Sequence, residues 1–292
     1  MSRLKELLES GGFPVTSEIG PPKGTNVEGE LEAAASMGKG VTAVNVTDLQ
    51  SAVMRLGSLA VCKLLLDRGI EPVFQLTCRD RNRISLQSAL LSAWVLGIEN
   101  VLCLTGDHIV LGDHREAKPV FDLDSVQLVK AVATLNSGFD LAGHELDGKP
   151  DLFAGAVVTP EFDPLEPQLI KMRKKIDAGA RFFQTQAVYR PDKFKAFMDE
   201  VSKWNVPVMV GIVLLKSPGM AKFMNQNVAG VFVPDEMIEE VKKTPKGDRK
   251  KKAAEIAGRI IREVKDHCQG VHLMPLGWDD VVPDVLEQGE LV

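Results

Sequence analysis

The chain has 292 residues, 45% of them hydrophobic, enough apolar mass to bury a full core, which excludes a disordered or fibrous protein. Thirty-five basic against forty acidic side chains leave a net charge of −5, which argues against nucleic acid or an anionic membrane as partner, since both are bound largely through Lys and Arg. Cys62, Cys78, Cys103 and Cys268 form no CxxC or Cys/His cluster, so reduced thiols in a cytoplasmic protein are expected rather than a disulfide framework or structural zinc. The N-terminal stretch is amphipathic and polar without an apolar signal core, and the longest apolar runs, such as 206–215, fall short of the ~20 residues of a membrane span.

Short β-branched runs alternate with longer helical patterns along the whole chain, the signature of βα units and a parallel sheet. In chain order the strands are predicted at 13–19, 41–47, 72–77, 100–104, 152–158, 181–185, 206–213 and 270–276. Helices are predicted at 28–37, 52–67, 86–96, 125–135, 167–178, 191–203, 220–225 and 250–267. Asp124 with Gln127 has the form of a capping box, and Gly138 suits the residue after a helix end. Eight such units predict a single-domain (β/α)8 TIM barrel over 1–292, with inserted loops near 108–122 and 136–151. The first insertion follows a strand and so falls at the catalytic end of a barrel. The basic run from Lys246 to Lys252 reads as a solvated helix start, with an interaction patch as the lesser alternative.

Two strings imitate nucleotide motifs. Gly38-Lys-Gly-Val-Thr-Ala43 matches a dinucleotide fingerprint in letters, but it ends a helix and enters a strand, the reverse of the required order. Gly143-His-Glu-Leu-Asp-Gly-Lys149 resembles a phosphate loop, yet Pro150 stands where the Mg²⁺-binding hydroxyl belongs. His108 and His114, with Asp107 and Asp113, lack metal-site spacing, and no metal is expected.

In a barrel the C-terminal end of each strand points into one shared site. The polar residues there are Glu18, Thr47, Gln75 with Thr77, Thr105-Gly106-Asp107, Thr159 with Glu161, Gln184 with Gln186, and Lys216. A carboxylate such as Glu18, placed beside Ile19, Gly20, Pro21 and Pro22, can be desolvated into a general acid; the alternative is a capping or salt-bridged surface Glu. Gly106 lets the backbone approach a ligand closely, and Asp107 is either a site carboxylate or the cap of the next segment.

These residues resemble the methylenetetrahydrofolate reductases, flavin-dependent (β/α)8 barrels. The likeness rests on Ser17-Glu-Ile-Gly-Pro-Pro22, Asn45-Val-Thr47, Leu76-Thr-Cys78, Leu104-Thr-Gly-Asp107, Phe121-Asp-Leu-Asp124, Lys175-Ile-Asp-Ala-Gly-Ala180 and Thr185-Gln186, in that order through nearly the whole chain. The resemblance implies that Glu18 is the general acid that protonates N10 of 5,10-methylenetetrahydrofolate, opening its imidazolidine ring to a 5-iminium cation. It implies that Asp107 is the catalytic carboxylate beside flavin and pterin, and that Gln186 hydrogen-bonds the pterin, with Glu18 and Asp107 also contacting substrate. Flavin contacts implied in the same way are Thr47, Gln75, Thr105, Gly106, Asp107, Asp122 or Leu123, Thr159, and the trio Lys171, Lys174 and Lys175. Those lysines fall on one helix face, which without the resemblance reads simply as solvated.

The implied activity is reduction of methylenetetrahydrofolate to 5-methyltetrahydrofolate by hydride transfer from reduced flavin N5, with FAD as cofactor and FMN as the alternative. After strand 7 the chain reads Lys216-Ser-Pro-Gly219, where well-known members carry an aromatic ring for the pyridine nucleotide. In this it resembles short members that take electrons through a partner subunit, so the expected donor is NAD(P)H or such a partner, within an oligomer or hetero-complex. Two other readings remain: a Schiff-base aldolase using Lys216, and a non-catalytic electron-relay barrel.

Overall fold

The computed structural model describes residues 2–292. Its eight strands are β1 (Val15–Ile19), β2 (Ala43–Val46), β3 (Pro72–Thr77), β4 (Asn100–Leu104), β5 (Phe153–Val158), β6 (Phe182–Ala187), β7 (Val208–Val213) and β8 (Gly270–Met274). Each pairs in parallel with the next, and β8 returns to β1, closing the predicted barrel. Nearly every strand residue is buried, as expected of a parallel sheet covered by helices.

The helices are α1 (Arg3–Ser10), α2 (Glu28–Ser36), α3 (Ser58–Asp67), α4 (Arg83–Val95), α5 (Ser125–Asn136), α6 (Glu166–Ala178), α7 (Pro191–Val201), α8 (Pro218–Asn227), α9 (Asp235–Lys243), α10 (Arg249–Val264) and α11 (Val282–Gln288). The Asp124–Gln127 capping box forms as expected, and Gly138, at φ +94°, follows the end of α5. Gly38, at φ +82°, lies between α2 and β2, so the fingerprint-like string is a helix exit. Three helices go beyond the sequence expectation: α1, α9 and α11. The predicted helix at 52–67 begins only at Ser58, because Leu49, Ser51 and Ala52 take left-handed backbone angles (φ 50–58°) that break it.

Inside the barrel the side chains form layers. The lower layer is apolar: Ala43, Val73, Leu102, Phe153, Phe182 and Met209, closed from below by Leu4 and Leu8 of α1. The Phe153 and Phe182 rings stack at 5.0 Å, and Gly155 leaves the space, since a Cβ there would lie 2.2 Å from the Phe182 ring. Above it the layer turns polar. Asn45 and Gln184 exchange amide hydrogen bonds (2.8 and 3.2 Å), Gln184 also donates to Thr16 Oγ1 (3.1 Å), and Thr16 reaches His272 Nδ1 (2.9 Å). A buried polar layer is stable only when its members satisfy one another, and this one does. It forms the floor of the site above.

Among the described residues no helix is long and apolar enough to cross a membrane. All four cysteines are unpaired and buried, and burial raises their thiols well above the range of reactive cysteines.

Candidate active site

A cavity of about 350 Å³ opens at the C-terminal end of the strands. Of the predicted residues it gathers Glu18, Thr47, Gln75, Thr77, Thr105, Gly106, Asp107, Gln184 and Gln186. Others stand outside its lining. Asp122 is clamped by the Arg83 guanidinium (2.9 Å to each oxygen), which holds its carboxyl down to about 2. Leu123 is in the core, and Thr159 lies under the backbone of Gly230.

The lysine trio needs a correction: it is not a single exposed face. Lys171 and Lys174 are exposed, whereas Lys175 turns inward and donates to the Val157 carbonyl at 2.6 Å. Burial, and next the charge of Lys171, push Lys175 down to about 8 from its ordinary 10.5. Between those values the unfolded chain binds a proton that the native chain does not, so stability rises with pH across that window. Wild type is expected to gain about 3 kcal/mol on Lys175→Met from pH 8 to 10.5, read from denaturant unfolding at several pH values. Parallel curves for the two proteins would contradict this.

Glu18 is the penultimate residue of β1, where the strand alternation turns it inward, and it is 8% exposed, so it is not a surface glutamate. Its Oε2 lies 3.5 Å from Gln75 Nε2 and 3.7 Å from His272 Nε2. Thr16 Oγ1 accepts from Gln184 and shares a hydrogen bond with His272 Nδ1, which turns the other ring nitrogen, Nε2, toward Glu18. One carboxylate oxygen thus faces the Gln75 amide and the His272 ring, and the carboxyl group lies on the cavity wall.

Asp107 is exposed at the rim and does not cap the following segment. Its carboxylate accepts from Ser51 N (3.2 Å), and its backbone carbonyl accepts from Arg79 (3.2 Å). Arg79 is 1% exposed and also reaches the Leu49 carbonyl (3.0 Å) and Asp80 (2.8 Å). It therefore ties the loop after β2 to the loop after β4. Asp48, whose carboxylate is fully buried, accepts from Thr77 N and Oγ1 and from Arg81.

The left-handed run at 49–52 holds Leu49 and Gln50 against the cavity, and such strain collects at ligand sites. Gly112 supports it from behind, since a Cβ there would lie 1.8 Å from the Ala52 carbonyl. Gly112→Ala is expected to cost about 1–3 kcal/mol and to speed hydrogen exchange at Ser51 N. An unchanged melting temperature and exchange rate would show that the contact does not matter.

A flavin fits these residues by a specific test. Thr47 Oγ1 is buried on the cavity wall with no protein partner, and a buried hydroxyl left so is costly unless a ligand completes it. Thr47, Gln75, Thr105, Gly106 and Arg79 supply donors and acceptors around it. Lys216, by contrast, does not line the cavity. It bonds the Leu276 carbonyl and sits 5.3 Å from the Trp278 ring centroid, a poor place for a Schiff-base nucleophile.

His272, Thr16, Arg79 and Asp48 were missed from the sequence, and Asn45 was read only as part of the family likeness. Carrying the inward phase of β8 one step back from Met274 would have found His272. Beyond its neighbour Asp80, nothing local marks Arg79, whose other partners are 28 and 30 residues away. Among the described residues no group of three His, Cys, Asp or Glu side chains is placed to hold a metal ion.

Fold and site together define an α/β barrel with an acidic, amide-lined ligand cavity at its strand ends. Residues 3–290 match the family model for methylenetetrahydrofolate reductase, and the chain belongs to that family. It is 29% identical over 213 residues to methylenetetrahydrofolate reductase 2 of Schizosaccharomyces pombe, covering 69% of this chain and 32% of that protein. It is 26% identical over 203 residues to the 5,10-methylenetetrahydrofolate reductase of Pectobacterium carotovorum, covering 68% of this chain and 63% of the other. The matched region thus spans about a third to two thirds of these relatives. In structure the chain resembles an uncharacterised Clostridium thermocellum protein described as binding two copies of 5-methyl-5,6,7,8-tetrahydrofolic acid (TM-score 0.67, 16% identity, full coverage of both chains).

Proposed function

We propose that this chain reduces 5,10-methylenetetrahydrofolate to 5-methyltetrahydrofolate. The observation that carries the reading is the placement of Glu18, Asp107 and Gln186 on one cavity, beside the orphaned Thr47 hydroxyl. Bound flavin supplies the hydride. Thr47, Gln75, Thr105, Gly106 and Asp107 hold it; we take it as FAD, with FMN the alternative, which mass spectrometry of the extracted cofactor separates.

Glu18 gives its proton to N10 of the substrate. The C–N10 bond then breaks, with its electron pair on the protonated nitrogen, leaving a cationic iminium at N5. The Asp107 carboxylate at the rim stabilises that positive charge. Gln186 orients the pterin; its Oε1 already accepts from Ala187 N (2.9 Å), which leaves the amide N–H groups for the ring. Thr159, Asp122 or Leu123, and the outward Lys171 and Lys174 are proposed to meet the cofactor beyond the cavity.

Electrons come from NAD(P)H or from a partner subunit within an oligomer or hetero-complex. A cytoplasmic location is supported by the four unpaired cysteines. The reading is tested by extracting the cofactor and assaying folate-dependent oxidation of a reduced dye. A colourless protein, or one that passes no electrons to methylenetetrahydrofolate, would end it.

A further inference from the structure

Glu18 also borders a second cavity, of about 460 Å³, whose lining does not include Asp107. Its walls are Ile19 at the end of β1 and Gly20 after it, Gly29 and Glu30 of α2, Gln50 and Arg55 after β2, and Leu276, Gly277 and Asp279 after β8. A left-handed turn at Leu276 (φ 53°) and Gly277 (φ 87°), closed by Trp278 N to the Pro275 carbonyl (3.1 Å), brings Asp279 to this cavity. The polar side chains that line it, Glu18, Glu30, Gln50, Arg55 and Asp279, suit water. The Arg55 Nε donor is buried on its wall without a protein partner, while Arg55 Nη1 is occupied by the Pro21 carbonyl (3.0 Å).

We propose that this cavity is a proton inlet, in which Asp279 returns to Glu18, through water, the proton that Glu18 spends in each turnover. The inference rests on the folate-reducing reading above. Each reduction moves one proton from Glu18 to N10, so a carboxylate is left that must be reprotonated before the next cycle. Substrate and cofactor then fill the first cavity and exclude water from that side. His272 is 4% exposed, with Thr16 on its other nitrogen, and offers no path to solvent.

Asp279 is half-buried, and burial raises its carboxyl above the ordinary aspartate range. Its own backbone N–H and Lys216 oppose that rise, whereas the charges of Asp280 and Glu18 add to it. The two carboxyl groups that share the cavity therefore sense each other. The other charged groups around them are Glu30 from α2, Arg55 after β2, and Lys250 of α10, which is paired with Asp280 (2.6 Å). In the relay the Asp279 carboxylic acid gives its proton to cavity water, that water gives one to the Glu18 carboxylate, and bulk solvent reprotonates Asp279. No electron moves in these steps.

The test compares full-length, flavin-loaded wild type with Asp279→Asn, both equilibrated in acid so that Glu18 starts protonated, then reduced with dye and mixed with methylenetetrahydrofolate. In the variant the first turnover should match wild type, while later turnovers slow by about 100-fold, the low end of what a positioned proton-transfer group contributes. Added formate should restore the later turnovers, and Asp279→Glu should keep them. Steady turnover at the wild-type rate in Asp279→Asn, or equal slowing of first and later turnovers, would overturn the inlet. Failure of the reading beneath it would appear separately, as no folate reduction by wild type.

Discussion

Glu18→Gln is expected to retain the flavin and to slow folate reduction by about 10²- to 10⁴-fold, the range a positioned general acid supplies. The amide keeps the volume of the carboxyl and can still meet Gln75 and His272, so the cavity keeps its shape. What it loses is an acidic proton for N10, without which the imidazolidine C–N bond would have to break toward an anionic amine. Reduction of the flavin by an artificial donor does not pass through that bond and should stay near the wild-type rate. The paired measurement is stopped-flow reduction by dye, then reoxidation by methylenetetrahydrofolate. Reoxidation within a few-fold of wild type would remove Glu18 from the chemistry.

Arg79→Met should have the largest effect on stability, a loss of about 2–4 kcal/mol, because it leaves the carbonyls of Leu49 and Asp107 without their donor and Asp80 without its ion pair. The guanidinium is 1% exposed and bonds Asp80 and the carbonyls of Leu49 and Asp107. Leu49 sits at φ 50°, so the same loss frees a backbone held in an unfavourable conformation. The loop carrying Ser51 N, which positions the Asp107 carboxylate, should then move, and flavin affinity should fall with stability. Arg79→Lys should recover little of this, since a single ammonium cannot span partners on three loops. A denaturant midpoint that puts Arg79→Met within about 1 kcal/mol of wild type would show that the loops hold themselves.

The barrel was legible because each βα unit announces itself locally. β-branched runs alternate with helical stretches, and the Asp124–Gln127 box and Gly138 punctuate α5 as their chemistry requires. The helices not anticipated are those whose reason lies elsewhere in the fold. The eight residues of α1 look like a polar leader until Leu4 and Leu8 are seen to plug the lower end of the barrel. The start of α3 was placed early because no local rule makes Leu49, Ser51 and Ala52 left-handed; Arg79 and Gly112 do that from other loops.

In the site the same division holds. Polar residues at strand ends were readable as a set, since closure of the barrel must bring them together, and Glu18, Thr47, Gln75, Asp107 and Gln186 do meet on one cavity. Lys175 shows where the pattern misleads. Helical spacing put it beside Lys171 and Lys174, but packing of α6 against β5 turned its amine to the Val157 carbonyl. The supports behind the strand ends, His272 and Thr16 in particular, belong to the barrel interior, where residue type alone does not separate a packed polar group from a working one.

If flavin and folate share one cavity in reacting order, the hydride passes directly from one to the other. The most direct measurement is to reduce the purified, flavin-loaded chain without oxygen and mix it with 5,10-methylenetetrahydrofolate while following visible absorbance. Return of the oxidised flavin spectrum with formation of an equal amount of 5-methyltetrahydrofolate is predicted. A reduced flavin that stays bleached in the presence of that folate, or a protein that takes up no flavin at all, would contradict the account.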